Sequence, residues 1–238
     1  MAGHSKWANI KHRKERADKK KGKMFSRVTK EIISAVRQGG ADPKTNPKLR
    51  VALQKAKEVN LPSDNIERNI KKATSADQAD FTEMTYELYG HGGVGILVEI
   101  MTDNKNRVAS DMRIATNKRG GTIASPGAVM FNFEQKGILQ IPKGPYSEDE
   151  LFLWATEAGA EDFEAIEEGY VVTTPPELLY EVKDKLALHK VVFEEANLEM
   201  IPKVYVECSE ETAKANEALI EWIEALDDVD AVYHNMQG

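Results

Sequence analysis

The spacing of apolar residues is helical over the first third of this 238-residue chain and mixed beyond it, and that change limits the architecture it can adopt. From Met24 to Ala73 apolar side chains recur at three- and four-residue steps, as helices with one buried face require. From Thr85 onward, short β-prone runs alternate with helical ones. Met24, Phe25, Val28, Ile32, Ala35 and Val36 form one stripe that stops at Gly39-Gly40. Asn46-Pro47 reads as an N-cap and first helical position before Leu49, Ala52, Leu53, Ala56 and Val59. After Asn60-Leu61-Pro62, Ser63 and Asp64 are expected to cap a shorter helix with Ile66, Ile70 and Ala73 inward, and Lys71 and Lys72 near its C-terminal dipole.

Beyond residue 80 the pattern predicts strands at Thr85–Tyr89 and Val94–Met101 joined by Gly90-His91-Gly92-Gly93, then a helix at Asn104–Lys118 and a strand at Val129–Phe133. Near the C-terminus a strand at Lys203–Glu207, a helix at Glu210–Leu226 and a strand at Ala231–His234 are expected. Between them lie strands at Gly137–Ile141, Asp162–Ile166, Tyr170–Thr174 and Val191 to about Glu195. The helices of this stretch are one opened by the capping box Ser147-x-x-Glu150 and one from Pro175 to about Leu188. That order, βαββαβ, is the ferredoxin-like plan. The expected fold class is therefore α+β with three domains: a basic arm and helical bundle over 1–78, a discontinuous α/β domain over 79–134 and 201–238, and an inserted one over 135–200. Both α/β domains are expected to be ferredoxin-like.

Charge is distributed as unevenly as periodicity. Residues 1–72 hold 20 Lys/Arg and 7 Asp/Glu, a net of +13, whereas residues 73–238 hold 12 and 32, a net of −20. A basic end on an acidic body is the composition of a chain that meets a polyanion with one end only. The single cysteine, Cys208, allows no intramolecular disulfide and fits a reducing compartment. No apolar run approaches a membrane span, so a cytoplasmic protein with no membrane partner is expected.

Catalytic motifs do not assemble. Gly90-His91-Gly92-Gly93-Val94-Gly95 matches G-x-G-x-x-G in form, but a strand follows it where a dinucleotide site needs a helix N-terminus, so a hairpin with positive-φ glycines is expected. His4, His12, His91, His189 and His234 are scattered, and the acid pairs such as Glu194-Glu195 read as solvated faces. A non-enzymatic protein with no cofactor, no metal site and no small-molecule substrate is the expectation.

Binding chemistry is concentrated in the first 30 residues, which carry eleven Lys/Arg and two acids. Lys6, Lys11, His12, Arg13, Lys14, Arg16, Lys19, Lys20, Lys21, Lys23 and Arg27 are candidate phosphate contacts, each releasing condensed counterion when it binds. Trp7 can stack on an unpaired base, or anchor the arm to the bundle. On the third helix Arg68, Asn69 and Lys72 can reach base edges or phosphates. A helix-turn-helix is the less favoured arrangement there, because Asp64 and Glu67 interrupt the positive face.

The opening Met1-Ala-Gly-His-Ser-Lys-Trp-Ala-Asn-Ile-Lys-His-Arg-Lys, the run Tyr86-Glu-Leu-Tyr-Gly-His-Gly-Gly-Val-Gly-Ile-Leu-Val-Glu, Thr102-Asp-Asn-Lys-Asn-Arg107 and Ser125-Pro-Gly-Ala-Val-Met-Phe resemble the YebC/PmpR family. The resemblance runs from the first residue into the C-terminal region. It implies a helical domain followed by two α/β domains, and a probable DNA-binding transcriptional regulator. Mitochondrial and bacterial relatives imply the alternative of a translation activator on ribosomal RNA, including at proline-rich stretches. No catalytic residue or obligatory cofactor is implied, and binding residues carry over only to the matching Lys6, Lys11, Arg13 and Lys14.

Overall fold

The computed structural model describes residues 21–74 and 81–237. In chain order its helices and strands are α1 (Lys21–Gly39), α2 (Pro47–Glu58), α3 (Ser63–Ala73), β1 (Thr82–Tyr89), β2 (Gly95–Thr102), α4 (Lys105–Arg119), β3 (Thr122–Ile123), β4 (Phe133–Pro142), α5 (Glu148–Ala158), β5 (Asp162–Ala165), β6 (Gly169–Thr174), α6 (Leu179–Leu188), β7 (Glu195–Pro202), α7 (Glu210–Glu224) and β8 (Val229–His234). They fall into two compact units, one spanning Met130–Tyr205 and the other the described residues up to Val129 together with Val206–Met236.

The Met130–Tyr205 unit follows β4-α5-β5-β6-α6-β7, with antiparallel strand order β5-β6-β4-β7, which is the ferredoxin-like arrangement. Leu139, Ile141 and Val172 from the sheet meet Leu151 and Ala155 of α5 and Leu179, Val182 and Leu186 of α6. Burying each of the larger side chains stabilises the unit by about 1.5–3 kcal/mol before chain entropy is subtracted. Both arms of the Ser147/Glu150 capping box form at the start of α5.

In the larger unit α1 packs against both α2 and α3 around Ile32, Leu49 and Ala56. Asn46 joins the first two helices: its Nδ2 donates to the carbonyls of Ala35 (2.7 Å) and Gly40 (2.8 Å), and its Oδ1 accepts from Leu49 N–H (3.1 Å). The antiparallel sheet β3-β1-β2-β8 carries α4 and α7 on one face, packed on Ile96, Val98 and Ile100. Residues Glu83, Thr85, Glu99 and Met101 of the same sheet lie towards α1 and α2. Strand β2 is buried along nearly its whole length, which explains its almost unbroken apolar run.

Several sequence expectations need correction. The larger unit's sheet is not ferredoxin-like: its β1–β2 hairpin occupies the two central positions, with β3 and β8 at the edges. Ser63 does not cap α3; it is the first helical residue, and the Pro62 carbonyl accepts from Asn65 (3.0 Å) and Ile66 (3.2 Å). Val129 is not in a strand, because its N–H donates to the buried Glu87 carboxylate (2.6 Å), and pairing begins only at Phe133. After α6, Lys190 turns the chain at φ 62° and Val191 tucks into the core, so the last ferredoxin-like strand is Glu195–Pro202 rather than Val191–Glu195. Lys203–Glu207 is no strand: the Asn132 side chain bonds both the N–H (3.1 Å) and the carbonyl (3.0 Å) of Val204, as a neighbouring strand would, and Val206 makes one isolated bridge to Met236.

The Gly90–Gly95 segment is a structural fastening. Gly92 and Gly93 have φ of 68° and 81°, the left-handed region that glycine enters without penalty. Asn216, fully buried on α7, accepts from His91 N–H (2.8 Å) and donates to the His91 carbonyl (3.0 Å). A Cβ at Gly90 would stand 2.3 Å from Asn216 Oδ1, so the glycine is required for the approach of this clamp. Gly90→Ala is expected to lower thermal stability by about 1–3 kcal/mol, as overpacking does, read as a shift in the urea midpoint; an unchanged midpoint would remove the clamp from the account.

Candidate nucleic-acid interface

Of the residues singled out for nucleic acid, Lys6, Trp7, Lys11, His12, Arg13, Lys14, Arg16, Lys19 and Lys20 lie outside the described residues. Lys21 and Lys23 are in the first turn of α1. Arg68, on α3, is exposed and has no carboxylate partner among the described residues. Asn69 is half-buried and its Nδ2 donates to the Asn65 carbonyl one turn earlier (2.7 Å), while Lys72 is exposed near the helix end. Exposed Lys44, Arg50, Lys57 and Lys71 extend this cationic surface over α2 and α3 without ion-pair partners among the described residues. Sequence reasoning passed over Lys44, Arg50 and Lys57, although all three stand in plain charge excess.

Arg27 is placed differently from the other candidates. Its Nε lies 3.3 Å from Glu31 and its Nη1 donates to the Asp230 carbonyl (3.4 Å), so it is turned onto the protein's own sheet. Burial opposes its charge, but Asp230 and Glu31 more than compensate and hold the guanidinium above its ordinary range. Lys30 is likewise engaged, donating to the carbonyls of Met101 (3.1 Å) and Asp227 (2.8 Å) and lying 3.5 Å from Asp228. Asp228 in turn accepts two bonds from Arg107 (2.8 and 2.9 Å), which also reaches Asp103 at 2.7 Å. Lys55 of α2 closes on Glu31 at 2.9 Å. The basic residues of the helices thus divide into an outward set and an inward set, and only the outward set is available to a polyanion.

Arg27 and Lys55 of the inward set line a cleft of about 570 Å³ between α1, α2 and the sheet, with Glu31, Glu83, Glu99 and Asp230 among its walls. Asp230 is the perturbed group there: burial, with Glu31 and Glu99 nearby, pushes its carboxyl up to about 6 against the pull of Arg27 and Lys30. A folded value above the unfolded one means that the native state binds more protons between about pH 4 and 6. Stability therefore falls as pH rises through that window and stays lower above it. Asp230→Asn is expected to raise the Tm at pH 8 by roughly 2–4 °C, the shift for about 1 kcal/mol in a chain of this size, and to flatten the pH 4–6 slope. A lower Tm at pH 8 would show that the carboxylate is net stabilising. Among the described residues no three His, Cys, Asp or Glu side chains converge as a metal ion needs, and no helix is long and apolar enough to cross a membrane.

Three of the distinctive strings of the sequence lie among the described residues. Glu87 of β1 accepts from Gly127 N–H (2.5 Å) and Val129 N–H (2.6 Å), and Tyr89 Oη donates to Ala128 (2.8 Å), so the Tyr86 run holds the Ser125–Val129 loop. Asn104 caps α4 through Arg107 N–H (3.0 Å). These motifs are fasteners of the scaffold.

Comparison with known proteins bears on the same division. A family model described as the TACO1/YebC protein N-terminal domain matches residues 5–76, and one described as the TACO1/YebC second and third domain matches residues 81–236. A protein of Protochlamydia amoebophila named a probable transcriptional regulatory protein is 70% identical over 237 residues, covering 100% of this chain and 97% of its own length. A protein of the same name from Chlamydia pneumoniae is 59% identical, covering 99% of this chain and 100% of its own. The crystal structure of a conserved hypothetical protein from Aquifex aeolicus superimposes with a TM-score of 0.81 at 42% identity, over 92% of this chain and 90% of that one.

Proposed function

Because the chain belongs to the TACO1/YebC family, we propose that it is a non-enzymatic regulator of gene expression that binds nucleic acid through its basic N-terminal part, with DNA at promoters as its ligand. The observation that carries this reading is the reversal of charge from +13 over residues 1–72 to −20 over the rest, with Lys44, Arg50, Lys57, Arg68 and Lys71 facing solvent. A polyanion is attracted to one end and repelled by the other, which orients the encounter. The names of the relatives from Protochlamydia and Chlamydia support the regulatory role.

A second reading, a translation activator bound to ribosomal RNA, is favoured by one feature of α3. Exposed Asp64 and Glu67 interleave with Arg68 and Lys71, leaving separate phosphate contacts rather than a continuous base-reading face. Crosslinking in cells, followed by sequencing of the attached nucleic acid, separates the two. Promoter DNA is the expected product. Recovery of ribosomal RNA alone would transfer the function to the ribosome, and recovery of neither would remove nucleic acid from the proposal. On the DNA reading, Arg68→Ala should reduce discrimination between a target site and random DNA by about 1–3 kcal/mol, measured by competition binding. An equal loss on all sequences would make Arg68 a phosphate contact only.

A further inference from the structure

The acidic part of the chain is not uniformly acidic. Residues 73–238 hold 12 Lys/Arg, and five of them, Lys105, Arg107, Arg113, Lys118 and Arg119, fall within the 15 residues of α4 beside a single acid, Asp111. The packed side of the helix, Val108, Met112 and Ala115, carries none of that charge. Asn106, Ser110, Arg113 and Asn117 follow one another at three- and four-residue steps and are all exposed, with Lys105 and Lys118 at the two ends. The outward side is a row of hydrogen-bonding and cationic side chains with no carboxylate in it.

Helix stability explains only part of this charge. Lys118 and Arg119 suit the negative end of the helix dipole, but Lys105 and Arg107 stand in the first turn, where α5 and α7 place acids and α4 has none. Arg107 is engaged by Asp228 and Asp103. Lys105, Arg113 and Lys118 have no ion-pair partner among the described residues, although the neighbouring α7 carries five glutamates. Arg119 lies 5.0 Å from the centroid of the Trp222 ring, and its carbonyl accepts from His91 Nε2 at 2.8 Å. A Cβ at Gly120 would stand 2.4 Å from His91 Cε1. The basic end of α4 is thus held against α7 and the β1–β2 turn, which lowers the ordering cost of binding there.

We propose that the outward face of α4 is a second phosphate-contact surface for nucleic acid, with Lys105, Arg113 and Lys118 on phosphates of one strand and Asn106, Ser110 and Asn117 bonding the sugar–phosphate edge between them. From Lys105 to Lys118 the helix rises about 20 Å, the length of about six phosphates along one strand of a duplex. The inference rests on the nucleic-acid reading given above and extends it. Helix α4 lies across the β3-β1-β2-β8 sheet from α1 and α2, so the two cationic surfaces are separate and the bound polymer reaches both sides of the sheet.

The test is a titration of labelled duplex DNA and, in parallel, of ribosomal RNA with the full-length protein at several salt concentrations. On whichever of the two the protein binds, Lys105→Gln, Arg113→Gln and Lys118→Gln together are expected to weaken binding by about tenfold or more at about 100 mM salt and to flatten the slope of log affinity against log salt by up to about 2.7. The charge-retaining set Lys105→Arg, Arg113→Lys and Lys118→Arg should bind like the unmodified protein. A photocrosslinking residue in place of Ile114, 46% exposed on this face, should label the nucleic acid, and one in place of Leu188 on α6, 84% exposed, should not. If the unmodified protein binds but the neutral set keeps its affinity and slope, or position 114 gives no crosslink, α4 is not a contact and the nucleic-acid reading stands without it. A loss that the charge-retaining set shares would show that shape rather than charge is at stake and would overturn the proposal. If the unmodified protein binds neither polymer, both readings fall.

Discussion

Replacing Lys11, Arg13, Lys14, Lys19, Lys20 and Lys21 together by alanine is expected to abolish most of the nucleic-acid affinity at physiological salt while leaving the fold intact. Each phosphate contact on duplex DNA contributes about −0.9 to the slope of log affinity against log salt, so losing six flattens it by up to about 5. A set of roughly six to ten contacts also governs a 10³–10⁵ change in affinity between 50 and 200 mM salt, and the variant should lose most of that dependence. The measurement is a titration of labelled duplex at several salt concentrations. Unchanged slope and affinity would exclude the arm as the contact and leave the outward residues of α2 and α3 to account for binding.

Asp228→Ala is expected to have the largest effect on stability of any single change considered, about 3 kcal/mol. Asp228 is 6% exposed and joins Arg107 of α4 to Lys30 of α1. Burial works against its charge, yet the Arg107 hydrogen bonds and the Lys30 charge outweigh it and hold the carboxyl below its usual range. Removing it leaves Lys30, whose side chain is 13% exposed, without its carboxylate. A loss of this size lowers the Tm by roughly 6–12 °C. Because the folded value is depressed, the contribution is fully present above the ordinary carboxylate range and is lost only as pH falls through the lowered value. Asp228→Asn should therefore match the wild type more closely in acid than at pH 7. A difference that does not depend on pH would mean that packing, not charge, carries the effect. Arg107→Ala should cost less, since that side chain is 46% exposed and its charge returns to water.

These two sets of cations behave differently because of information that adjacent residues do not contain. Arg27 and Lys11 look alike in a string of basic residues, but Arg27 faces Asp230, 203 positions away in sequence. Nothing within a helical turn of Arg27 signals that partner. A comparable distance separates the partners of the Lys30–Asp228–Arg107 junction, although Arg107 closes the Thr102–Arg107 string. By contrast, Asn46 and the Ser147/Glu150 box were legible, since a cap closes within three residues. Val129–Phe133 and Lys203–Glu207 differ from the sequence expectation for one cause: backbone groups of these β-prone residues pair with the side chains of Glu87 and Asn132 instead of with a neighbouring strand.

By itself the sequence determined the change from helical to strand periodicity, the capped starts of α2 and α5, the ferredoxin-like order of the Met130–Tyr205 unit and the accumulation of positive charge before residue 73. All of these follow from interactions a few residues long or from composition, which need no knowledge of distant partners. Only the tertiary structure decided that the β1–β2 hairpin takes the centre of its sheet, that Asn216 clamps Gly90 and His91, and which cations of the helices turn inward onto Asp228 and Asp230. Those outcomes depend on pairing groups more than a hundred residues apart, where the free energy of a contact is settled by burial and geometry rather than by neighbours along the chain.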